Sequence, residues 1–218
     1  MIVNGRSVFL VVLLFHLACG SSSGPPAPAK DSKLASPTAP APTLRFADLS
    51  AEALKEYRVT LTTSIGKIEI EPLPEQAPET VRQVFYLCQM GFYDHTAWHR
   101  VVRGSFIQGG DLSTHRPPLS PAEIDHVNHR LRLETGKLKH APGTVSMARS
   151  QMPGSSETSF FICLARQPKL DGQYTIFGKV VSGMEVVEKM ANVSLEGDRP
   201  RQRWELVKAE VVRVAAGQ

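Results

Sequence analysis

Residues Trp98–Asp111 read WHRVVRGSFIQGGD, and apolar side chains alternate here with a cation and an amide before two glycines. Alternation of this kind predicts a β-strand, in which every second residue faces the same way. Along an extended chain, Arg100, Val102, Phe106 and Gln108 share one face. The sequence therefore predicts a sheet surface that carries a guanidinium and an amide among apolar groups.

Arg100 on this face has two explanations. A half-buried cation is costly unless it is paired with an acid or has a ligand to bind. No acidic residue stands between Arg100 and Gln108, so a structural partner would have to come from elsewhere in the fold. On the pattern alone, a structural arginine with a distant carboxylate and a functional arginine in a binding site both remain open.

The rest of the chain predicts a mainly β domain. Alternating apolar residues around Ser64–Lys67 indicate a β-hairpin, and a run from Pro78 to Gly91 has apolar residues at helical spacing. A second helix is predicted to start in a capping box at Ser182–Glu185, and Leu112–Lys137 is predicted to be a polar connection. Many short strands, two helices and no repeated βαβ unit favour a closed or nearly closed antiparallel sheet capped by helices. Further strands are predicted at 143–148, from Phe160, from Tyr174 and at 204–214.

The first 19 residues are typical of an export signal. Arg6 precedes an apolar run at Val8–Leu17, which is shorter than the ~20 residues that span a bilayer. The sequence Ala-Cys-Gly that follows resembles a bacterial lipoprotein signal, in which Cys19 would be lipidated and become the new N-terminus. An ordinary cleaved secretory signal is the alternative. Both predict an exported protein, in the bacterial periplasm or cell envelope.

Residues 20–56 are predicted to be a tether rich in Pro, Ala and Ser, with a short helical lead-in near its end. The folded domain is predicted over 57–214, which is ample to bury a core. Cys88 lies on the apolar face of the first predicted helix and Cys163 in an apolar strand, so both are expected to be buried free thiols.

Composition argues against several kinds of site. The net charge is +4, and the basic cluster at 199–203 has no interleaved aromatics, so no nucleic-acid interface is expected. The sequence has no GxSxG, no Gly-rich phosphate loop and no CxxC. His95 and His99 have the spacing of a zinc pair on a helix, but the residues around them predict a strand, so no metal site is expected.

Four ordered segments resemble the cyclophilin-type peptidyl-prolyl cis-trans isomerases: WHRVVRGSFIQGGD (98–111), GTVSMARS (143–150), SSETSFFICLA (155–165) and LDGQYTIFGKVV (170–181). The resemblance runs from about Tyr57 to Val214. It implies the family fold, an eight-stranded antiparallel β-barrel capped by two α-helices. The export signal, the tether and the connection at 119–143 are most similar to bacterial secreted members.

The family's reaction explains an arginine on an apolar face. Rotation about an X-Pro bond has a barrier of ~18–20 kcal/mol because the amide nitrogen lone pair is delocalised into the carbonyl. At the twisted transition state the lone pair returns to nitrogen, which can then accept a hydrogen bond. A donor placed there stabilises the transition state more than the ground state. No nucleophile, metal or cofactor is needed, and the always-charged guanidinium is a suitable donor.

The resemblance also implies a role for each residue of the site. Arg100 is implied as the catalytic arginine, Gln108 as the amide that binds the substrate backbone and orients Arg100, and Phe161 as the floor of a proline pocket. His99 and Phe160 are expected to pack in the core. The implied partners are proline-containing unfolded or flexible polypeptides, and a monomer is the family default. The implied substrate-binding residues are Phe106, Ala148, Arg149, Leu170 and Tyr174.

Three positions depart from the family pattern. Ser105 stands where a phenylalanine usually forms one pocket wall, and Ser159 replaces a glutamine that contacts substrate. Lys169 stands where eukaryotic members have tryptophan. Loss of an aromatic wall costs on the order of 1–3 kcal/mol of burial. Two functions therefore stay open: a prolyl isomerase for exported clients, and a cyclophilin-fold binding or holdase module whose isomerase activity is weak or lost.

Overall fold

The computed structural model describes residues 45–127, 131–149 and 158–214. The predicted export signal, Cys19 and most of the predicted tether lie outside these residues. Among the described residues, no helix is both long enough and apolar enough to span a membrane.

A helical lead-in opens the described chain and packs on the core. It consists of a 3-10 turn at Phe46–Asp48 and helix α1 (Ala51–Leu54). The side chains of Phe46 and Leu54 are buried, at 5% and 0% exposure. The packed part of the chain therefore begins ahead of the boundary predicted at Tyr57, and the lead-in is part of the domain.

The first strands form the predicted hairpin. Strand β1 (Tyr57–Thr63) pairs antiparallel with strand β2 (Gly66–Pro72), and Leu61 lies opposite Ile68. Alternate apolar residues of both strands are buried, because this register turns them to the same face.

Helix α2 (Pro78–Gln89) follows and ends as predicted, with Gly91 in the left-handed conformation at φ +72°. Its N-terminus is capped from a distance, since the Glu134 carboxylate accepts hydrogen bonds from the backbone N–H groups of Glu79 and Thr80 at 3.1 and 2.9 Å. The buried face of this helix consists of Thr80, Val81, Val84, Phe85, Leu87 and Cys88.

The stretch Trp98–Asp111 contributes to three short strands and a turn. Strand β3 (Thr96–Trp98) is followed by β4 (Arg100–Val102) and β5 (Phe106–Gly109). Strands β4 and β5 pair antiparallel, so the prediction of one extended strand is wrong. The predicted shared face survives nevertheless, because residues directly opposite each other on antiparallel strands point the same way.

The remaining strands complete a nearly closed barrel. The further strands of the described residues are β6 (Thr144–Met147), β7 (Phe160–Cys163), β8 (Ile176–Ser182), β9 (Leu195–Glu196), β10 (Arg199–Pro200) and β11 (Trp204–Arg213). In the described part of the chain, β9 and β10 form a small separate sheet, and the main sheet has nine antiparallel strands in the order β3-β11-β1-β2-β8-β6-β7-β5-β4. Its edge strands β3 and β4 are joined through His99 alone, so the chain itself links the two edges. Counted as one interrupted strand, they give the predicted eight, and the mainly β barrel is confirmed.

Two further helices differ from the prediction. Helix α3 (Pro121–Val127) lies inside the predicted polar connection, and a Ser120–Glu123 capping box starts it, with the Ser120 N–H donating to Glu123 at 2.8 Å. Helix α4 (Met184–Ala191) has no side-chain cap, so the predicted capping box is wrong. Gly183 precedes it at φ +90°, where a Cβ would collide with the Lys67 carbonyl oxygen.

Both cysteines outside the predicted signal are buried free thiols, as predicted. Burial raises the pKa of the Cys88 thiol above its usual value and that of Cys163 to about 12. Neither thiol therefore forms a reactive thiolate near neutral pH.

Candidate active site

The β4–β5 hairpin displays the polar residues that the sequence singled out. Arg100 lies opposite Gln108, and Val102 lies opposite Phe106. Val101 and Ile107, between them, point into the core and are almost fully buried. Next in the sheet, β7 places Phe161 beside Gln108. Strand pairing thus brings together Gln108 and Phe161, which are 53 residues apart in sequence.

These residues border one cavity of about 410 Å³. All eight positions proposed from the sequence for catalysis or substrate binding line this cavity, and three further polar side chains complete it. The size suits a small apolar group with a few polar contacts, which is the usual character of a ligand pocket. The lining consists of Arg100, Phe106, Gln108, Asp111, Ser113, Ala148, Arg149, Ser159, Phe161, Leu170 and Tyr174.

The Arg100 side chain is 45% exposed and lies within this cavity. Its Nη1 is 3.5 Å from Oε1 of Gln108, and its guanidinium carbon stands 5.2 Å from the centre of the Phe106 ring. Its Nε donates to Oδ2 of Asp198 at 3.2 Å. Both explanations of Arg100 are therefore present at once, since the arginine has a distant carboxylate partner and also faces a cleft.

Aromatic rings form the apolar wall of the cavity. The ring centres of Phe106 and Phe161 are 5.3 Å apart, and Tyr174 meets Phe161 edge-on at 5.8 Å. Phe161 is 4% exposed, so its position is set by the core behind it. A rigid aromatic floor of this kind offers apolar contact to a five-membered ring without losing conformational entropy.

Behind Phe161 lies a cluster that resembles a hydrolase triad in composition. The His140 ring stacks on Phe161, with its Nδ1 3.1 Å from Asp171 and its Nε2 3.1 Å from the Ser146 hydroxyl. Ser146 is fully buried, and its hydroxyl lies 2.7 Å from the Thr175 carbonyl oxygen. A nucleophile must be reached by its substrate. This cluster therefore supports the pocket floor and is not a second active centre.

The opposite rim comes from the chain after β6. Ala148 donates its backbone N–H to the Ser159 carbonyl oxygen at 2.8 Å, so that N–H is already engaged. The Arg149 guanidinium carbon stands 5.2 Å from the Tyr174 ring centre, a distance at which a cation is attracted to a ring face. Leu170 ends a 3-10 turn at the far wall. The rim thus combines a second cation with apolar surface.

The three departures from the family pattern fall in different places. Ser159 lines the cavity, while Ser105 and Lys169 do not. Ser105 lies in the turn between β4 and β5, and its carbonyl oxygen accepts a hydrogen bond at 2.8 Å from the N–H of Leu164, which follows β7. Phe106 supplies the aromatic wall beside Arg100.

Phe160, His99 and His95, which were assigned no catalytic or metal-binding role, differ in burial and in their contacts. Phe160 is buried and meets Trp98 edge-on at 5.6 Å, as expected for a core residue. His99 is partly buried, and burial lowers its pKa. The His95 Nδ1 instead lies 3.0 Å from Glu205. Across the described ranges, no group of three or more His, Cys, Asp or Glu side chains is placed to hold a metal ion.

Sequence reasoning missed Asp111, Ser113 and Asp198. Asp111 follows Gly110 directly, and its carboxylate accepts the Ser113 N–H at 2.9 Å, a local turn signal that could have been recognised. Asp198 lies 98 residues from Arg100, and no local pattern announces their contact.

Known proteins resemble this chain in both sequence and fold. A sequence model of the family described as cyclophilin type peptidyl-prolyl cis-trans isomerase/CLD matches residues 58–211. The isomerase cypE of Dictyostelium discoideum is 36% identical over 160 residues, covering 72% of this chain and 98% of that protein. The isomerase CYP18-1 of Arabidopsis thaliana is 40% identical over 144 residues, covering 65% and 88%. A crystal structure of a Cryptosporidium parvum cyclophilin, obtained in the presence of the dipeptide Ala-Pro, matches with a TM-score of 0.59 and 26% identity, covering 72% of this chain and 99% of that one.

The barrel, the arginine-lined cavity and these matches define one class of enzyme. The chain belongs to the cyclophilin-type peptidyl-prolyl cis-trans isomerase family, whose members catalyse rotation about X-Pro peptide bonds.

Proposed function

We propose that this cyclophilin accelerates X-Pro rotation in flexible segments of exported proteins, and that Arg100 donates a hydrogen bond to the proline nitrogen at the twisted transition state. The observation that carries the proposal is that the Arg100 guanidinium borders the same cavity as Phe106 and Phe161. A proline ring held on these aromatic side chains has its nitrogen next to the cation. The donor then acts only when that nitrogen becomes basic.

Gln108 has two tasks in this mechanism. Its Oε1 faces Nη1 of Arg100 at 3.5 Å, which directs the guanidinium along the hairpin. Its amide NH₂ is the donor that can bind a carbonyl oxygen of the substrate backbone. One side chain thereby fixes both the donor and the chain that carries the proline. The substrate enters by the rim formed by Ala148 and Arg149.

The proposal predicts that Arg100→Ala lowers kcat/KM for a short peptide with a cis Ala-Pro bond by about a hundredfold to a thousandfold, the cost of losing one transition-state donor. Isomerisation of the peptide, followed by a fast trans-specific cleavage, measures the rate. The fold should survive, because the Arg100 side chain is half exposed. Arg213→Ala is the matched control, since Arg213 pairs with Glu56 and does not line the cavity. Full activity of Arg100→Ala would refute the arginine mechanism.

A second candidate function is a binding or holdase module with weak isomerase activity. Ser159 favours this second function, because it lines the cavity at the position where the resemblance implies a glutamine that contacts substrate. The two functions predict different results when an aggregation-prone client protein, whose refolding is limited by proline isomerisation, refolds in the presence of this protein. The holdase alternative wins if the wild type leaves the slow phase unchanged and still suppresses aggregation.

We further propose that the protein works outside the cytoplasm as a monomer, held at a membrane by lipid on Cys19. The support is the order of Arg6, the apolar run at Val8–Leu17 and Cys19 in the sequence. Mass spectrometry of the mature N-terminus is the test. A diacylated cysteine at the N-terminus supports the anchor. A terminus at any other residue without lipid contradicts it.

A further inference from the structure

A small hairpin after helix α4 docks against the strand that carries Arg100. Strands β9 and β10 pair, and Gly197 in their turn has φ +60°. The Asp198 carbonyl oxygen accepts the Val101 N–H at 2.7 Å, and Arg103 donates to the Val193 carbonyl oxygen at 2.6 Å. These two hydrogen bonds therefore fix the hairpin, and the residue Val193 that precedes it, to the chain just after Arg100.

The same docking brings the Asp198 carboxylate to Nε of Arg100 at 3.2 Å. Gln108 faces Nη1 of the guanidinium, and the guanidinium carbon stands over the Phe106 ring. The guanidinium is thus approached from its Nε edge, from Nη1 and from one face. Two hydrogen-bonding contacts on a planar fork determine its orientation, whereas one contact would leave it free to rotate.

The orientation of the guanidinium matters because Arg100 borders two cavities. One is the aromatic cavity described above. The other, of about 500 Å³, lies on the hairpin side and is lined by no Phe, Tyr or Trp side chain. A long, half-exposed side chain without a tether would divide its time between the two. The second cavity is lined by His99, Arg100, Glu196, Gly197, Asp198 and Arg199.

We propose that Asp198 is a positioning residue that holds the Nε edge of Arg100, so that the Nη side of the guanidinium faces the aromatic cavity. This inference rests on the proposed arginine mechanism. Asp198 does not line the aromatic cavity, so it acts through Arg100 and not on the substrate.

The carboxylate has two opposing effects on catalysis. It orients the donor, and it also neutralises part of the charge that would stabilise the transition state. Both side chains of the pair are about half exposed, at 45% and 53%, so solvent screens the charge effect strongly. Orientation is not screened. The net effect of Asp198 is therefore to raise the rate.

The test compares Asp198→Asn, Arg100→Ala and Glu196→Gln with the wild type. Asn keeps the size of Asp and replaces the charge-assisted hydrogen bond to Nε of Arg100 with a weaker neutral one, so it loosens the hold on the guanidinium. Glu196 is the matched control, because it belongs to the same hairpin and the same second cavity but pairs with Arg201 at 3.7 Å. We expect Asp198→Asn to lower kcat about three- to fivefold, the size of an exposed ion pair, with KM within about twofold. We expect Glu196→Gln to match the wild type.

A second readout is independent of turnover. In ¹⁵N-labelled protein, the Nε–H signal of Arg100 is assigned by its absence from Arg100→Ala. Hydrogen exchange of this signal should be at least about threefold faster in Asp198→Asn and unchanged in Glu196→Gln, because the ion pair protects it.

Every other outcome overturns the inference. Unchanged or higher kcat in Asp198→Asn shows that orientation by Asp198 does not limit the reaction. An equal loss in Glu196→Gln assigns the effect to the hairpin charge in general. An unchanged Nε–H signal shows that Asp198 does not hold Arg100. These results leave the arginine mechanism standing, whereas full activity of Arg100→Ala removes both.

Discussion

At the scale of single residues, the two explanations of Arg100 are compatible. A guanidinium offers a fork of donors, so one edge can be paired while the rest faces a ligand. The contact with Asp198 is made by Nε, and Nη1 is directed toward Gln108. A paired arginine is therefore not excluded from catalysis. What matters is which of its N–H groups the partner occupies.

Asp171 is the residue on which the pocket floor depends most. Its carboxylate accepts hydrogen bonds from Arg166 and from the backbone N–H of His140, and these hold its pKa well below the usual range. It also faces the His140 ring that stacks on Phe161. The ionised form of Asp171 thus belongs to the folded state.

Asp171→Asn is therefore expected to lower the Tm at pH 7. A carboxyl whose pKa is depressed by folding adds stability above its unfolded pKa of about 3.9 and loses it as the pH falls through the folded value. The Tm difference between wild type and variant should then shrink as the pH is lowered below about 4. Calorimetry from neutral to acid pH measures it, with Asp125→Asn on the exposed side of α3 as control. A Tm difference that stays constant over this range would contradict the assignment.

At the scale of elements, the polar connection between β5 and β6 caps the N-terminus of helix α2. The N-cap residue of helix α2 is Ala77, whose side chain makes no capping hydrogen bond. The Glu134 carboxylate, from the connection, accepts the N–H groups of Glu79 and Thr80 and also the Thr80 hydroxyl at 2.6 Å. A negative charge at a helix N-terminus is favourable. The connection is therefore fastened to the barrel through this carboxylate.

Glu134→Gln is expected to lower the free energy of unfolding by about 0.5–2 kcal/mol, the range for loss of a helix N-cap. Urea denaturation of the wild type and the variant measures this difference. Glu75→Gln is the control, because Glu75 is an exposed glutamate that pairs with Lys55 at 3.8 Å. Equal losses in the two variants would show that the cap contributes nothing specific.

The sequence predicts elements whose pattern lies within their own residues, and it misses features that depend on contacts between residues far apart in the chain. Strands β1, β2 and β11 and helix α2 carry an alternating or helical pattern within their own residues, and the sequence predicts them. The hairpin β9–β10 has strands of two residues each, too short to show a pattern. The cap from Glu134 and the pair between Arg100 and Asp198 are contacts between distant residues, which no local pattern records.

The candidate site follows the same division. Parity along the β4–β5 stretch places Arg100, Phe106 and Gln108 on one face, and this can be counted from sequence alone. Phe161 reaches them only through the pairing of β5 with β7. Phe161 could be assigned to the site only through the resemblance to the family, because no spacing in the chain indicates it.

At the scale of the whole molecule, closure of the barrel places the site. The two edges of the sheet meet at His99, where β3 gives way to β4, so Arg100 stands at the seam. The hairpin at 195–200 packs beside this seam. The helical lead-in packs elsewhere on the core, where the Phe46 ring lies 4.9 Å from that of Phe85.

A chain that begins at Tyr57 should consequently be less stable than one that begins at Arg45. It lacks Phe46 and Leu54, which are 5% and 0% exposed, and each buried side chain of this size contributes about 1.5–3 kcal/mol. We expect a loss of about 3–5 kcal/mol in the free energy of unfolding. Equilibrium unfolding of the two chains gives the difference. Equal stabilities would mean that the lead-in does not belong to the core.

The most direct test of the arginine mechanism is the exchange rate of a bound peptide. NMR exchange spectroscopy on an Ala-Pro peptide, with wild-type protein or Arg100→Ala at saturating concentration, measures cis-trans interconversion on the protein separately from affinity. We predict that the peptide binds Arg100→Ala within about tenfold of the wild-type Kd, while interconversion on the variant slows by about a hundredfold or more. Unchanged interconversion on Arg100→Ala, at equal saturation, would contradict the account.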